Sequence, residues 1–194
     1  MTNMKSLRGA YDRFRKDDNG SAAVELTFMV PALALITFSM IVFFSAFRAQ
    51  THATRTATVV TDMISREIAP VTPAFLQGVE GLMKTMVHSD KTPEFRVTAF
   101  TYDAEEETYA VAWSKHNGLG SLDDGSLNAV ADQLPVLRDG QRALLVETAI
   151  DYKPALDVGI GSQRFENFNV TAPRFVPQLC YMSDPNGDPE SAEC

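Results

Sequence analysis

Between Glu25 and Arg48 the chain carries no charged side chain. The stretch Leu26 to Phe47 is predominantly apolar and twenty-two residues long, close to the ~20 needed to cross a bilayer core as an α-helix. Thr27, Thr37, Ser39 and Ser45 dilute it, but hydroxyls can bond back to helical carbonyls. The alternative is a buried core helix, and uncharged runs of this length are rare in small soluble domains. The run therefore divides the chain into a short segment before a membrane span and a domain after it.

The flanks orient the span. Lys5, Arg8, Arg13, Arg15 and Lys16 precede it, while Arg48, Arg55 and Arg66 follow. The positive-inside rule places the N-terminus in the cytoplasm and the bulk outside. The formal charge of −8 hides an asymmetry: residues 1–20 hold five basic and three acidic residues, so the remainder carries twelve against twenty-two, a net of −10. Such a domain is a poor ligand for nucleic acid, which wants Lys/Arg patches. As a whole it repels anionic lipid. Cys180 and Cys194 lie close together in a tail rich in Pro, Gly and Asp. In an exported tail a disulfide between them is the favoured state.

An ordinary secretory signal places an apolar region before a small-residue cleavage site. Here the order is reversed: a basic segment ends in Asp17-Asp18-Asn19-Gly20, and the apolar run follows. A cut after Gly20 would remove the leader, keep the helix, and leave Ser21 as the new N-terminus with Glu25 fifth. Gly20-Ser21-Ala22-Ala23-Val24-Glu25-Leu26 resembles the processing site of type IV prepilin-like proteins. In particular it is similar to that of the TadE/TadF-like minor pilins, or pseudopilins, of the tight-adherence (Flp) pilus system. Pro31 in the following helix also fits. Weaker likeness continues in Ala112-Trp113-Ser114, Asp151-Tyr152-Lys153-Pro154 and Ala172-Pro173-Arg174, so the resemblance spans most of residues 17–176.

That resemblance implies a structural protein of the inner membrane, matured by an aspartic prepilin peptidase. Its implied partners are other minor pilins, a major pilin and the inner-membrane pilus platform, and its role is pilus assembly for adhesion. It implies too that Glu25 pairs with the Ser21 amine of a neighbouring subunit. The physics of Glu25 agrees: an acid near a helix N-terminus is favoured by the macrodipole, and at the bilayer edge an amine partner offsets part of its burial cost. The other reading is a lone glutamate serving its own helix. Pro31 removes one backbone bond and predicts a kink, though proline is tolerated in membrane helices.

Arg48 to Ile68 continues without a breaker, with Ala49, Ala53, Ala57, Val60 and Ile64 at helical spacing and charges elsewhere around the helix. This predicts an amphipathic helix with a small-residue stripe that docks on something, ended by Pro70 and Pro73. Phe75 to Val87 predicts a second helix. Phe95–Tyr102, Thr108–Ser114, Gln141–Tyr152 and Phe165–Thr171 predict strands, the first two joined by an acidic hairpin loop. Ser126 to Leu134 predicts a short helix capped by Ser126. Trp113 is expected in the core or where helix meets sheet.

The expected fold is α+β: a long N-terminal transmembrane helix continuing into an exported helix packed on a mostly antiparallel sheet. The expected segments are a cleaved leader at 1–20, a span at 21–47, a helical stalk at 48–69, an exported domain at 70–176 and an irregular tail at 177–194. No enzyme, cofactor or metal site is expected. His52, His88 and His116 are scattered, and no nucleophile or phosphate-binding motif is present in the sequence. Two other readings stay open: an uncleaved single-pass scaffold of the same apparatus, and a membrane-anchored periplasmic enzyme or binding domain.

Overall fold

The computed structural model describes residues 11, 13–16, 20–87, 91–156, 159, 161–185, 187–188 and 191–194. The chain divides into two compact units, Met1–Phe44 and Ser45–Cys194. Helix α1, Gly20–Ser65, runs across that division. The fold is α+β, with one long apolar helix near the N-terminus and a four-stranded antiparallel sheet in the second unit. Pro31 lies inside α1; it denies the Thr27 carbonyl its helical donor, yet the helix is unbroken across it.

In the second unit the stripe on α1 is buried: Ala53, Ala57 and Val60 are fully inaccessible and Ile64 nearly so. Small side chains on that face let the helix backbone approach its neighbours closely. α1 closes at Ser65, short of Ile68, because Glu67 turns the chain: its carboxylate accepts from the Ile68 and Ala69 N–H groups at 3.2 and 3.3 Å. Helix α2, Pro73–Val87, starts with proline in its first position, where a missing N–H costs nothing. Thr72 caps it by accepting from the Phe75 N–H at 3.2 Å. Val79 and Met83 form its buried face.

Strands β1 (Glu94–Asp103), β2 (Thr108–Asn117), β3 (Arg142–Tyr152) and β4 (Gln163–Thr171) lie in the order β2-β1-β3-β4, every neighbouring pair antiparallel. Alternation along β1 and β3 feeds two cores. Phe95, Val97, Leu144 and Val146 join Val60, Ile64, Val79 and Met83 on the helix side. Phe100, Ala143 and Leu145 join Tyr109, Leu127 and Leu134 on the other. In β2 the register slips: Ala99 faces Trp113 but Phe100 faces Val111, so Ala112 is an extra residue. This bulge moves Trp113 to the helix side while Tyr109, four residues earlier, serves the opposite core.

The expected helix at 126–134 is displaced and split. Helix α3 is Asp124–Asn128, capped by Asp123, and a 3-10 turn follows at Ala131–Gln133. Asp123 outcompetes Ser126 for the cap because its carboxylate accepts from both the Ser126 N–H and hydroxyl, at 2.8 and 2.6 Å. Pro135 disfavours helical backbone in the residue before it, and Leu134 is extended. Asn128 then seals the outer edge of β2, accepting from the Tyr109 N–H at 2.9 Å and donating to its carbonyl at 2.7 Å.

The tail is irregular but docked. Leu179, Tyr181 and Met182 are buried. Tyr181 bridges to Val71 and Glu193, and the Trp113 indole donates to the Leu179 carbonyl at 2.8 Å. Cys180 and Cys194 are joined by a disulfide.

Candidate functional site

The junction singled out in the sequence falls at the head of α1. Gly20 is its first residue, and Glu25 lies one turn further in, exposed. The basic segment at 1–20 lies largely outside the described residues, as does His88. Among the described residues no group hydrogen-bonds or ion-pairs with the Glu25 carboxylate. From Leu26 onward large apolar side chains stand exposed on every side: Phe28, Leu35, Ile36, Phe38, Met40 and Phe43 are each more than half accessible. The hydroxyls do bond back along the helix, Thr27 to the Ala23 carbonyl at 2.7 Å and Thr37 to the Leu33 carbonyl at 2.8 Å. The run therefore offers no unspent hydroxyl donor at these two positions, as an apolar surrounding requires. Among the described residues one helix is long and apolar enough to cross a membrane.

The second unit carries ionic groups that sequence reading did not pair. Glu94, Arg96, Glu147, Asp151, Arg164 and Glu166 share the sheet face away from α1. Arg96 grips Glu147 across the β1–β3 pair with two bonds of 2.6 and 2.7 Å and donates to the Gly120 carbonyl at 2.6 Å. Both partners are largely buried, so each depends on the other. Arg164 reaches Glu94, Glu166 and Asp151. The Glu94 bond, then the Glu166 bond, raise its guanidinium further above its ordinary value. Asp151 also receives Lys91 at 2.8 Å. That bond, opposed by desolvation and helped by the charges of Lys91 and Arg164, holds the Asp151 carboxyl below the usual aspartate range. The available signal was alternation: Glu94 and Arg96 are two apart on one strand, opposite Ala149 and Glu147 on another.

Among the described residues no cluster of His, Cys, Asp and Glu is arranged to hold a metal ion. His52 lies on α1 and His116 on β2, far apart in the chain and without a shared partner. What the geometry defines is a class: an α+β domain whose first helix extends into an exposed apolar segment headed by a Gly-Ser junction. No family model matches the chain, and no curated protein or solved structure shows significant similarity to it.

Proposed function

We propose that this chain is a minor pilin, or pseudopilin, of a tight-adherence (Flp) type pilus. It is anchored in the inner membrane by α1, with its N-terminus in the cytoplasm and residues beyond the span in the periplasm. A prepilin peptidase cuts after Gly20. The shortened helix then associates with other minor pilins and a major pilin at the membrane platform. Glu25 pairs there with the Ser21 amine of a neighbour.

The observation that carries this reading is the placement of Gly20-Ser21 and Glu25 at the head of a helix whose next twenty-two residues are uncharged. An exposed carboxylate with no partner among the described residues, one turn into such a helix, suits a partner supplied by another subunit. Mapping the N-terminus of membrane-extracted protein tests it. The expected mature chain begins at Ser21; a chain retaining the residues up to Gly20 in a piliated cell would overturn the reading. Gly20→Phe is expected to block processing. Glu25→Ala is expected to leave cleavage intact and reduce piliation, and normal piliation would defeat the pairing.

A further inference from the structure

The two edges of the sheet, β2 and β4, are finished differently. On β2 the Tyr109 N–H and carbonyl are both taken by Asn128, and the Val111 N–H donates to the Asp124 carboxylate at 2.7 Å. These bonds fix the phase of the whole sheet. Facing residues of an antiparallel pair either exchange both backbone bonds or both turn away. Tyr109 and Val111 turn away from β1, so Tyr102 and Phe100 opposite them turn toward β3. The bonds that join Tyr102 to Gln141 and Gly140 agree. Phe100 therefore bonds Ala143, and the alternate β3 residues Leu144, Val146 and Thr148 bond Thr171, Asn169 and Asn167. Arg164, Glu166, Phe168 and Val170 are left turning four N–H and four carbonyl groups out of the sheet. Among the described residues none of these groups has a hydrogen-bond partner.

Exposed edges are commonly blunted by proline, lysine, a bulge or shortness. β4 has nine residues with no proline, lysine or glycine, and its register with β3 is regular throughout. Clefts of about 430 Å³ lie beside it on both faces of the sheet, room for the side chains of a further strand. On the face away from α1, Phe168 and Val170 are half-buried against the core that Phe100 and Leu145 form. The one cation of β4, Arg164, is held by Glu94, Glu166 and Asp151. With Lys91 on Asp151, that network sets two cations against three carboxylates. The surplus acid is most open at Glu166, whose side chain is 71% accessible.

We propose that the open edge of β4 docks an extended segment of a different polypeptide, which adds to the sheet as a fifth strand. Donors and acceptors repeating at every second residue match an extended backbone and nothing more compact. The segment enters antiparallel, as every pair in this sheet does. It sets a lysine or arginine opposite Glu166 and apolar residues opposite Phe168 and Val170. Its intervening side chains are small and polar, beside Asn167 and Asn169 on the face toward α1. A second copy of the chain is a poor occupant. The edge it offers is its own β4, which brings the same surplus acid and a cation already held. The proposal rests neither on the membrane span nor on pilus membership.

The test uses the full chain in detergent, with detergent alone as the blank. The probe is a fluorescent peptide of about nine residues, matched to β4. It carries valine opposite Val170 and Phe168, lysine opposite Glu166, and threonine elsewhere, and its binding is read by anisotropy. Saturable binding is expected. N-methylation of the lysine, whose N–H faces β4, should abolish it; N-methylation of a neighbouring threonine, whose N–H faces away, should change it less than about twofold. Glu166→Pro removes an outward N–H and spares the ladder to β3, and should weaken binding about tenfold. Glu166→Ala removes only the carboxylate and should weaken it about threefold. Both variants are checked for an unchanged Trp113 melt, and the methylated peptides decide the matter with no change to the protein. Absent binding, equal loss from the two methylated peptides, or Glu166→Ala matching Glu166→Pro would each overturn the proposal. So would a dimer of the full chain that Glu166→Pro dissolves, which would make a second copy the occupant.

Discussion

The two halves of α1 share one backbone form and obey opposite rules. Between Leu26 and Phe44 most side chains are Phe, Leu, Ile, Met and Val, and nearly all of these are exposed. Between Ala53 and Ser65 the inward positions are Ala, Thr, Val, Ile and Ser, and they are sealed. In the first half what is constrained is polarity: in a run long and apolar enough to cross a membrane, a charge anywhere on the circumference would be costly, while side-chain volume is free. In the second half what is constrained is volume: a packed face rejects added methylenes, while the outward face accepts Arg55, Asp62 and Arg66. Each half can thus be probed with a substitution the other tolerates.

The largest expected effect comes from enlarging the stripe. Ala53→Leu with Ala57→Leu should cost about 4 kcal/mol, at 1–3 kcal/mol for each overpacked site. It should be read as a fall in the melting temperature of the near-ultraviolet Trp113 signal. Ala32→Leu, the same change in the first half, should leave that signal alone; equal effects would erase the distinction. Next is a charge in the first half. Phe38→Arg places about 3 kcal/mol of insertion penalty near the middle of the run. It should lower the carbonate-resistant fraction without shifting the Trp113 melt. Cys180→Ser should cost the second unit about 3 kcal/mol, given the short loop it opens, and should leave membrane retention unchanged. Tyr152→Phe deletes the Ser45 contact and should cost about 1 kcal/mol, again in the second unit alone.

How much of this was legible in the chain depends on the range of the interaction. The charge-free run, the stripe and the four strands rest on local periodicity, and all are present near the expected bounds. The helix at 126–134 depended on which of several neighbouring oxygens wins a cap. Asp123 could be weighed against Ser126 only with the turn geometry in view. The tail reads as irregular because it is rich in Pro, Gly and Asp, which are poor core formers. Its anchors, Leu179 and Tyr181, are held by Trp113 and Val71, sixty-six and more residues away in sequence for the indole bond. The bulge at Ala112 was invisible for the same reason: it exists only as a mismatch between two strands. The Gly20–Glu25 junction was legible as a motif, and among the described residues nothing pairs with the Glu25 carboxylate.

The smallest expected effect separates the halves by pH. No ionisable side chain lies between Glu25 and Arg48, so acid has nothing to titrate along the first half. In the second unit the carboxyls of Asp123 and Asp151 are both held below the usual aspartate range, the first by its bonds from Ser126 and the second mainly by Lys91. A carboxyl whose value is depressed on folding contributes its stability above the unfolded value, near ~3.9, and loses it as pH falls toward the folded one. The melting temperature of the second unit should therefore decline below about pH 4. Asp151 is about one-third exposed, so water and salt screen its pairing and the decline due to it should be modest, smaller again at high salt. Asp151→Asn should melt lower at neutral pH and show a shallower acid slope than the unaltered chain. Parallel slopes for the two proteins would mean that Lys91 and Arg164 contribute nothing through Asp151. Helicity of the first half, followed in detergent across the same range, should stay constant.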